Sequence, residues 1–591
     1  MAARAMAARA ASVNGPIGGT ESIGGGPEAQ ATPVPAARRR LASAAGRLFG
    51  RSIGRLGVPA REWACLIPIL LLAAADRFVN LPARGLWDTD QGYETGAIWN
   101  AVVTRQLPTF GSPAFTTGGG FHHGALFYDL MIPFAWLGNG NPTVIVGAIA
   151  AFGLAVVPLA WWTARSIGGT SSGLAVALLA AVSPSLIDYS TFIWNPVLIE
   201  FGVALACFGA WQAWATRQPQ WWIVAAAGTA IASQAHLTGL VLVFPISFFF
   251  LVTLRCCPAS ERRRLLVWGF AGVALFVLTW SLWLFNELTH DLVETRAILA
   301  FDQGGPPAAN PVIRLVVGVT RITAWPISYW PLDDFKPGFP IALAVAAGIT
   351  AGVIWRVIGA IEAARSLDAT PAATTRPARF DATPLDATRN ERNGLLFVGG
   401  SLLFITLVLA LGIKEISQIS NLNQEQYHAV ADVLVILAGG LIVSGLWRSA
   451  PVRGRSWSGH VLASLAMAGL VAVSIVHWPP LTAPDGGWPV AQAAAARLER
   501  DAGAPELALV NLPYFKTAET YSYPLELDGV KVAQPADART VVILCDAGWY
   551  KGCGGVAETD WLAANLPGQN LVLKDQWEPS PQRYLSVYQR P

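Results

Sequence analysis

The feature that most constrains this chain is its apolar runs, about eleven stretches near the roughly 17–25 residues that cross a hydrocarbon core. They lie near 63–80, 143–164, 172–189, 196–215, 221–235, 237–254, 265–285, 339–360, 394–413, 429–446 and 459–477. A backbone in lipid has to satisfy its own hydrogen bonds, and a helix does so within one segment. The runs therefore predict an all-α polytopic membrane protein. The run at 221–235 is short, and its partner follows after a tight turn at His236. Only 13% of the residues are charged, where a soluble domain carries about 25%. The 24 Trp and 25 Phe suit a chain that needs aromatic anchors at membrane surfaces. No strongly basic face stands out, so no nucleic-acid partner is expected.

Basic residues set the expected orientation. Residues 1–60 are rich in Ala, Gly and Pro and end in a basic stretch with Arg38, Arg39, Arg40, Arg47, Arg51 and Arg55. This reads as a disordered cytoplasmic N-terminus. The first apolar run starts at Trp63 and lacks a small-residue cleavage site in the right place, so it reads as a retained anchor. Alternate loops then carry Arg165, Arg217, Arg255 with Arg262, Arg263 and Arg264, Arg356 with Arg365, and Arg448 with Arg453 and Arg455. Those loops are assigned to the cytoplasm. The expected location is the cell (plasma) membrane, with the N-terminus cytoplasmic and the C-terminus outside.

The transmembrane domain is expected over 61–480, with external loops at 81–142 and 286–338. The second of these, with its Trp and Pro, is expected to lie on the membrane surface. A Thr, Ala, Pro and Arg linker at 361–393 reads as a disordered cytoplasmic connector. From about 484 the chain turns soluble. A helical run at Ala491–Leu498 and short strands at 507–510, 541–544 and 571–573 predict a small extracytoplasmic α/β domain over 484–591. Cys545 and Cys553 lie close together in it, and a disulfide is plausible in an exported domain. Cys65, Cys207, Cys256 and Cys257 read as packed thiols, and no metal-type cysteine spacing occurs.

The first external loop is richest in chemistry. It reads Leu86-Trp87-Asp88-Thr89-Asp90-Gln91-Gly92-Tyr93-Glu94, and later Gly118-Gly119-Gly120-Phe121-His122-His123-Gly124-Ala125-Leu126-Phe127-Tyr128. An ionised carboxylate just past a helix end can accept a proton from a substrate hydroxyl. Three glycines before two histidines let backbone approach a ligand closely. Taken alone, solvated loop acids are the simpler reading of the same residues.

The order of parts resembles the glycosyltransferase-C (GT-C) superfamily, in the branch of protein O-mannosyltransferases and lipid A aminoarabinose transferases. Asp90-Gln91 is similar to the family's Asp-Glu or Asp-Gln after the first helix. His123-Gly124-Ala125-Leu126-Phe127-Tyr128 is similar to its Gly-Pro-Leu run before aromatics, with Ala125 in the place of Pro. Trp194-Asn195-Pro196 resembles the Trp-Asn-Pro of bacterial members, and Gln234-Ala235-His236 the family's Gln-x-His. The resemblance covers roughly 63–446. It implies transfer of a hexosyl or pentosyl group from a polyprenyl-phosphate-linked donor to an acceptor hydroxyl on the exported face, through a transition state with oxocarbenium character. The acceptor is a protein, a glycan or a lipid.

On this resemblance Asp90 is the expected base and Asp88 the reserve. Gln91, His123, Tyr128, Asn195, His236, Tyr427 and His428 are the expected substrate contacts. Asn195 stands where many members carry a second Asp. It can hydrogen-bond but cannot act as a base, and Asp188 is a nearby partial substitute. Asn195-Pro196 also reads as a helix start, with Asn as N-cap. Some relatives bind a divalent ion near the donor phosphate, where it offsets leaving-group charge; His122, His123 and Glu94 are the candidate ligands here. Cations for the phosphate would come from Arg84, Arg105, Arg296, Arg314, Arg321, Lys336 or Lys414, which serve equally as anchors to lipid headgroups. Two other classes remain: a transporter or flippase of a lipid-linked sugar, and a non-catalytic subunit of envelope assembly.

Overall fold

The computed structural model describes residues 58–116, 119–301, 310–329, 338–368, 384–413, 416, 425–448, 457–502, 506–513 and 518–591. Helices dominate up to residue 476. In chain order they are α1 (Ala60–Phe78), α2 (Thr89–Thr104), then after a hairpin of β1 (Pro113–Thr116) and β2 (Gly119–His122), α3 (Leu126–Leu137), α4 (Pro142–Gly168) and α5 (Thr170–Val182). There follow α6 (Ile199–Thr216), α7 (Trp221–Ala235), α8 (Val243–Cys256), α9 (Ala259–Thr279), α10 (Ser281–Thr289), α11 (Val293–Ala300) and α12 (Pro311–Ser328). The last four are α13 (Gly338–Asp368), α14 (Pro384–Gly412), α15 (Ala429–Arg448) and α16 (Ser458–Val476).

Every apolar run picked out above lies mainly within a helix. Among the described residues seven helices are long and apolar enough to cross a membrane, and an eighth if the pair α9 and α10, bent by 62°, is one span. The remaining runs fall in α1, α5 and α7. Helix α1 carries Arg61, Glu62, Asp76 and Arg77 within 19 residues, and α5 and α7 have only 13 and 15. The chain is a multi-pass membrane protein. Its centre is α15, with 89% of the span window buried, whereas α16 at 11% and the span in α13 at 22% face outward.

Small residues let the inner helices touch. Gly228 of α7 lies against α6 so closely that a Cβ would sit 2.3 Å from the Ala206 amide nitrogen and 2.5 Å from the Gly202 carbonyl oxygen. Such contacts replace the hydrophobic drive that lipid removes. Gly228→Val is expected to push the two helices apart at a cost of about 1–3 kcal/mol or more. A lower unfolding temperature in detergent would register it, and an unchanged one would refute the close packing.

Two expectations need correction. Residues 361–368 and 384–393, read as part of a disordered connector, continue α13 and α14 as helix. Ala, Glu and Arg there are good helix formers, and Pro384 opens α14, where a missing N–H costs nothing. Residues 369–383 lie outside the described residues. His236 does not sit in a tight turn between two α-helices: its backbone is extended, and a 3₁₀ segment (Leu237–Leu242) precedes α8.

The C-terminal domain packs α17 (Gly487–Ala502) against a five-stranded mixed sheet. Its strands are β3 (Glu506–Leu512), β4 (Lys531–Val532), β5 (Thr540–Asp546), β6 (Val572–Ser580) and β7 (Arg583–Gln589), with α18 (Glu519–Leu527) after β3 and α19 (Val556–Asn565) after β5. The order across the sheet is β4-β3-β5-β7-β6. Strands β3, β4 and β5 run parallel, and β7 pairs antiparallel with β5 and β6. Ala508, Val541, Ile543 and Cys545 form part of the core, and Cys545 is disulfide-bonded to Cys553.

Candidate functional site

Helix α2 starts where its sequence tells it to. The Asp88 carboxylate accepts the Thr89 amide at 2.8 Å, and Gln91 Oε1 accepts the Asp88 amide at 2.9 Å, which closes a capping box. Asp88 is therefore committed to the helix end, and it also pairs with Arg583 of β7 at 3.0 Å. Gln91 is buried, and its Nε2 donates to the Ile193 carbonyl at 3.1 Å, tying α2 to the loop before α6. Asp90 lies between them on the first turn and is exposed. A negative group is favoured there by the helix dipole.

One turn further on, Glu94 is fully buried. The Ser112 and Tyr128 side chains and the Asn195 amide surround it, yet neither carboxylate oxygen has a partner of good geometry. Burial pushes its carboxyl up to about 8, opposed by Ser112, Tyr128 and the Asn195 amide and reinforced by Asp90. Glu94 thus carries no charge at neutral pH.

Three expected residues form a line of rings. His123 and His236 lie 4.9 Å apart between centroids, and Tyr427 meets His236 edge-on at 5.4 Å. Burial, with His122 beside it, pushes His123 down to about 4, so its ring is neutral. The Thr238 amide donates to His236 Nδ1 at 3.3 Å. His428, next in sequence to Tyr427, is buried 3.7 Å from Asp432, with Trp325 edge-on to its ring.

Asn195 does not cap a helix. Trp194 holds the cap position, and Asn195 opens the 3₁₀ turn before α6. Its Nδ2 donates to the Ala235 carbonyl at 2.6 Å, because the carbonyl end of α7 needs a donor. Asp188 accepts a hydrogen bond from the Tyr329 hydroxyl at 2.6 Å.

The divalent-ion reading finds no ligand set. Among the described residues no three His, Cys, Asp or Glu side chains converge. His122 Nδ1 lies 3.0 Å from Glu294 of α11, His123 packs on His236, and Glu94 faces Ser112 and Tyr128. Of the cation candidates, Arg321 is buried and donates to the Ile416 carbonyl at 3.2 Å. Arg84 is buried and donates to the Asp76 carbonyl, whereas Arg105 is exposed and Arg296 and Arg314 half-buried. Lys336 and Lys414 lie outside the described residues.

Sequence reasoning missed an inner acid cluster. The Ser185 hydroxyl lies 3.0 Å from Glu200 and also contacts Asp432, and both acids are buried. Arg77 is fully buried nearby and donates to the Ala180 carbonyl at 3.2 Å. The signal was available, since an acid inside an apolar run is seldom idle. Together these contacts place α2, the loop before α6, His236, Tyr427 and the C-terminal domain at one end of the helix bundle. At the other end Arg165 pairs with Glu62 at 2.8 Å, and Arg448 with Glu391 at 2.7 Å.

No family model and no curated protein matches the sequence. The fold does have solved counterparts. ArnT from Cupriavidus metallidurans in the apo state superposes with a TM-score of 0.52 at 13% identity, covering 90% of this chain and 98% of that one. The same protein bound to undecaprenyl phosphate gives 0.51 at 13% identity with the same coverage. The Archaeoglobus fulgidus oligosaccharyltransferase gives 0.45 at 11% identity over 81% of this chain and 67% of its own. The chain has the GT-C fold. Among its solved counterparts, ArnT is matched over nearly its whole length.

Proposed function

We propose that the chain is a membrane glycosyltransferase that takes a sugar from a polyprenyl-phosphate donor and gives it to an acceptor hydroxyl on the extracytoplasmic face. One observation carries this reading: an exposed carboxylate, Asp90, on the first turn of the helix that follows α1 in a GT-C fold. Asp90 takes the acceptor proton as the acceptor oxygen bonds to the anomeric carbon, and the phosphate leaves with its lipid. A single displacement of this kind inverts the anomeric centre. The arginine-rich opposite end of the bundle, with Arg165, Arg356 and Arg448, supports a cytoplasmic assignment for that end. The site end then lies outside.

Solved ArnT in its lipid-bound form carries undecaprenyl phosphate, which supports a polyprenyl donor here. A groove of about 380 Å³ between α7, α8 and α9, lined by Trp222, Ile246, Phe250, Phe270 and Phe276 among others, suits part of such a chain. At the site end of its walls Gln234 donates to Thr279 at 2.9 Å, beside Leu126 at the start of α3. Arg321 is the cation best placed for the phosphate, being buried near His428. The test is incubation of membranes holding the protein with a panel of labelled polyprenyl-phosphate sugars. One label is expected to move to an acceptor, and retention of every label on its lipid would refute the reading.

A further inference from the structure

The C-terminal domain does more than rest on the helix bundle. Helix α18 lies so close to α2 that a Cβ on Gly92 would stand 2.3 Å from the Glu519 carbonyl oxygen. Trp87 Nε1 donates to the Thr520 carbonyl at 2.9 Å. The residues just before α2 are gripped from both sides. Asp485, between α16 and α17, accepts the Trp87 amide at 2.8 Å, and Arg583 Nη1 donates to the Trp87 carbonyl at 3.0 Å. Arg583 lies 3.4 Å from Asp485 and 3.9 Å from Asp546. Its remaining arm pairs with Asp88 at 3.0 Å, on the same carboxylate oxygen that caps α2.

We propose that Arg583 is a positioning residue for Asp90: by holding the Asp88 cap and the Trp87 carbonyl it fixes the first turn of α2, so the C-terminal domain sets the geometry of the catalytic helix. The guanidinium suits this work because its planar fork reaches a carboxylate and a carbonyl at once, which an ammonium does not. It is nearly buried, with 11% of its side chain exposed, so its contacts are poorly screened. The inference rests on Asp90 being the base. A misplacement of about 1 Å at a reacting group can cost about 100-fold in rate, and that is the lever Arg583 controls.

The experiment measures kcat and donor KM for the full-length protein in lipid vesicles, with amide hydrogen exchange over residues 89–92 in the same samples. Arg583→Met is expected to lower kcat by about 10- to 100-fold with donor KM within about threefold, and to speed exchange at 89–92 by about tenfold. Arg583→Lys should recover part of the rate. Asp88→Asn keeps a capping side chain and should lose about tenfold in rate. The double variant should be no slower than Arg583→Met alone, because the two residues act through one contact. Tyr523→Phe is the control for docking: it removes the hydrogen bond from α18 to the Gly140 carbonyl without touching Asp88, and its kcat should stay within about twofold. A kcat for Arg583→Met within twofold of the parent, additive losses in the double variant, or an equal loss in Tyr523→Phe would overturn the proposal. Unchanged exchange at 89–92 would overturn it too. A parent protein that moves no sugar, while exchange still responds at Arg583, would instead overturn the transferase reading and the positioning role that rests on it.

Discussion

Asp90→Asn is expected to reduce sugar transfer by about 10²- to 10⁴-fold, the range that a positioned general base contributes. Asn keeps the shape of the side chain and can still accept a hydrogen bond, but it cannot take a proton at neutral pH. The first turn of α2 is held by Asp88, Gln91 and Arg583, none of which the substitution removes, so the fold should persist and the loss should fall on kcat. Asp88→Asn should lose no more than about tenfold, since Asn is also a good N-cap. The ratio of the two effects decides which acid is the base. It also decides between function classes, because transport of a lipid-linked sugar or a scaffolding role would survive Asp90→Asn. Initial rates of label transfer, with the amount of folded protein checked by gel filtration, make the measurement. Equal rates for the parent and Asp90→Asn would remove the base from Asp90.

The apolar runs carried the helices because lipid forces a period-independent signal: length and lack of charge suffice. Asp90 was legible for a related reason, as an acid placed directly after the first run. The role of Asp88 was legible too and was passed over. Asp88-Thr89-Asp90-Gln91 has the spacing of a capping box, and that pattern separates an acid used by the fold from one left open to solvent. Glu200 and Asp432 announced themselves as acids in apolar runs, but only the fold brings them together at Ser185. No local pattern could reveal Arg583 on Asp88, because 495 positions of chain separate them. The strand β7 that carries it escaped notice as well, since Arg583, Ser586 and Gln589 break its apolar alternation. Asn195 was misread as a cap because Asn-Pro is the commoner start signal, whereas here the Ala235 carbonyl at the end of α7 claims its amide.

The two acids on α2 divide by environment. Asp90 lies open at the helix end, while Glu94, one turn on, lies in a closed pocket and stays protonated up to about 8. A neutral Glu94 keeps a second charge away from the proposed base, and the folded state bears a cost for it. In the unfolded chain Glu94 ionises near its ordinary value of 4.5. Between that pH and about 8 the unfolded state has lost a proton that the folded state retains. Stability therefore falls as pH rises through this window, by up to about 1.4 kcal/mol for each pH unit. Below the window the contribution is absent, and above it the loss is complete, on the order of 4 kcal/mol. Glu94→Gln is uncharged at every pH and cannot contribute that slope. Its unfolding temperature in detergent should match the parent's near pH 5 and exceed it by several degrees at pH 8, with the gap opening steadily between. Comparing the two proteins at each pH cancels the titration of every other group. A gap that stays constant from pH 5 to pH 8 would mean that Glu94 is ionised in the folded protein, and the pocket around Ser112, Tyr128 and Asn195 would have to hold a charge.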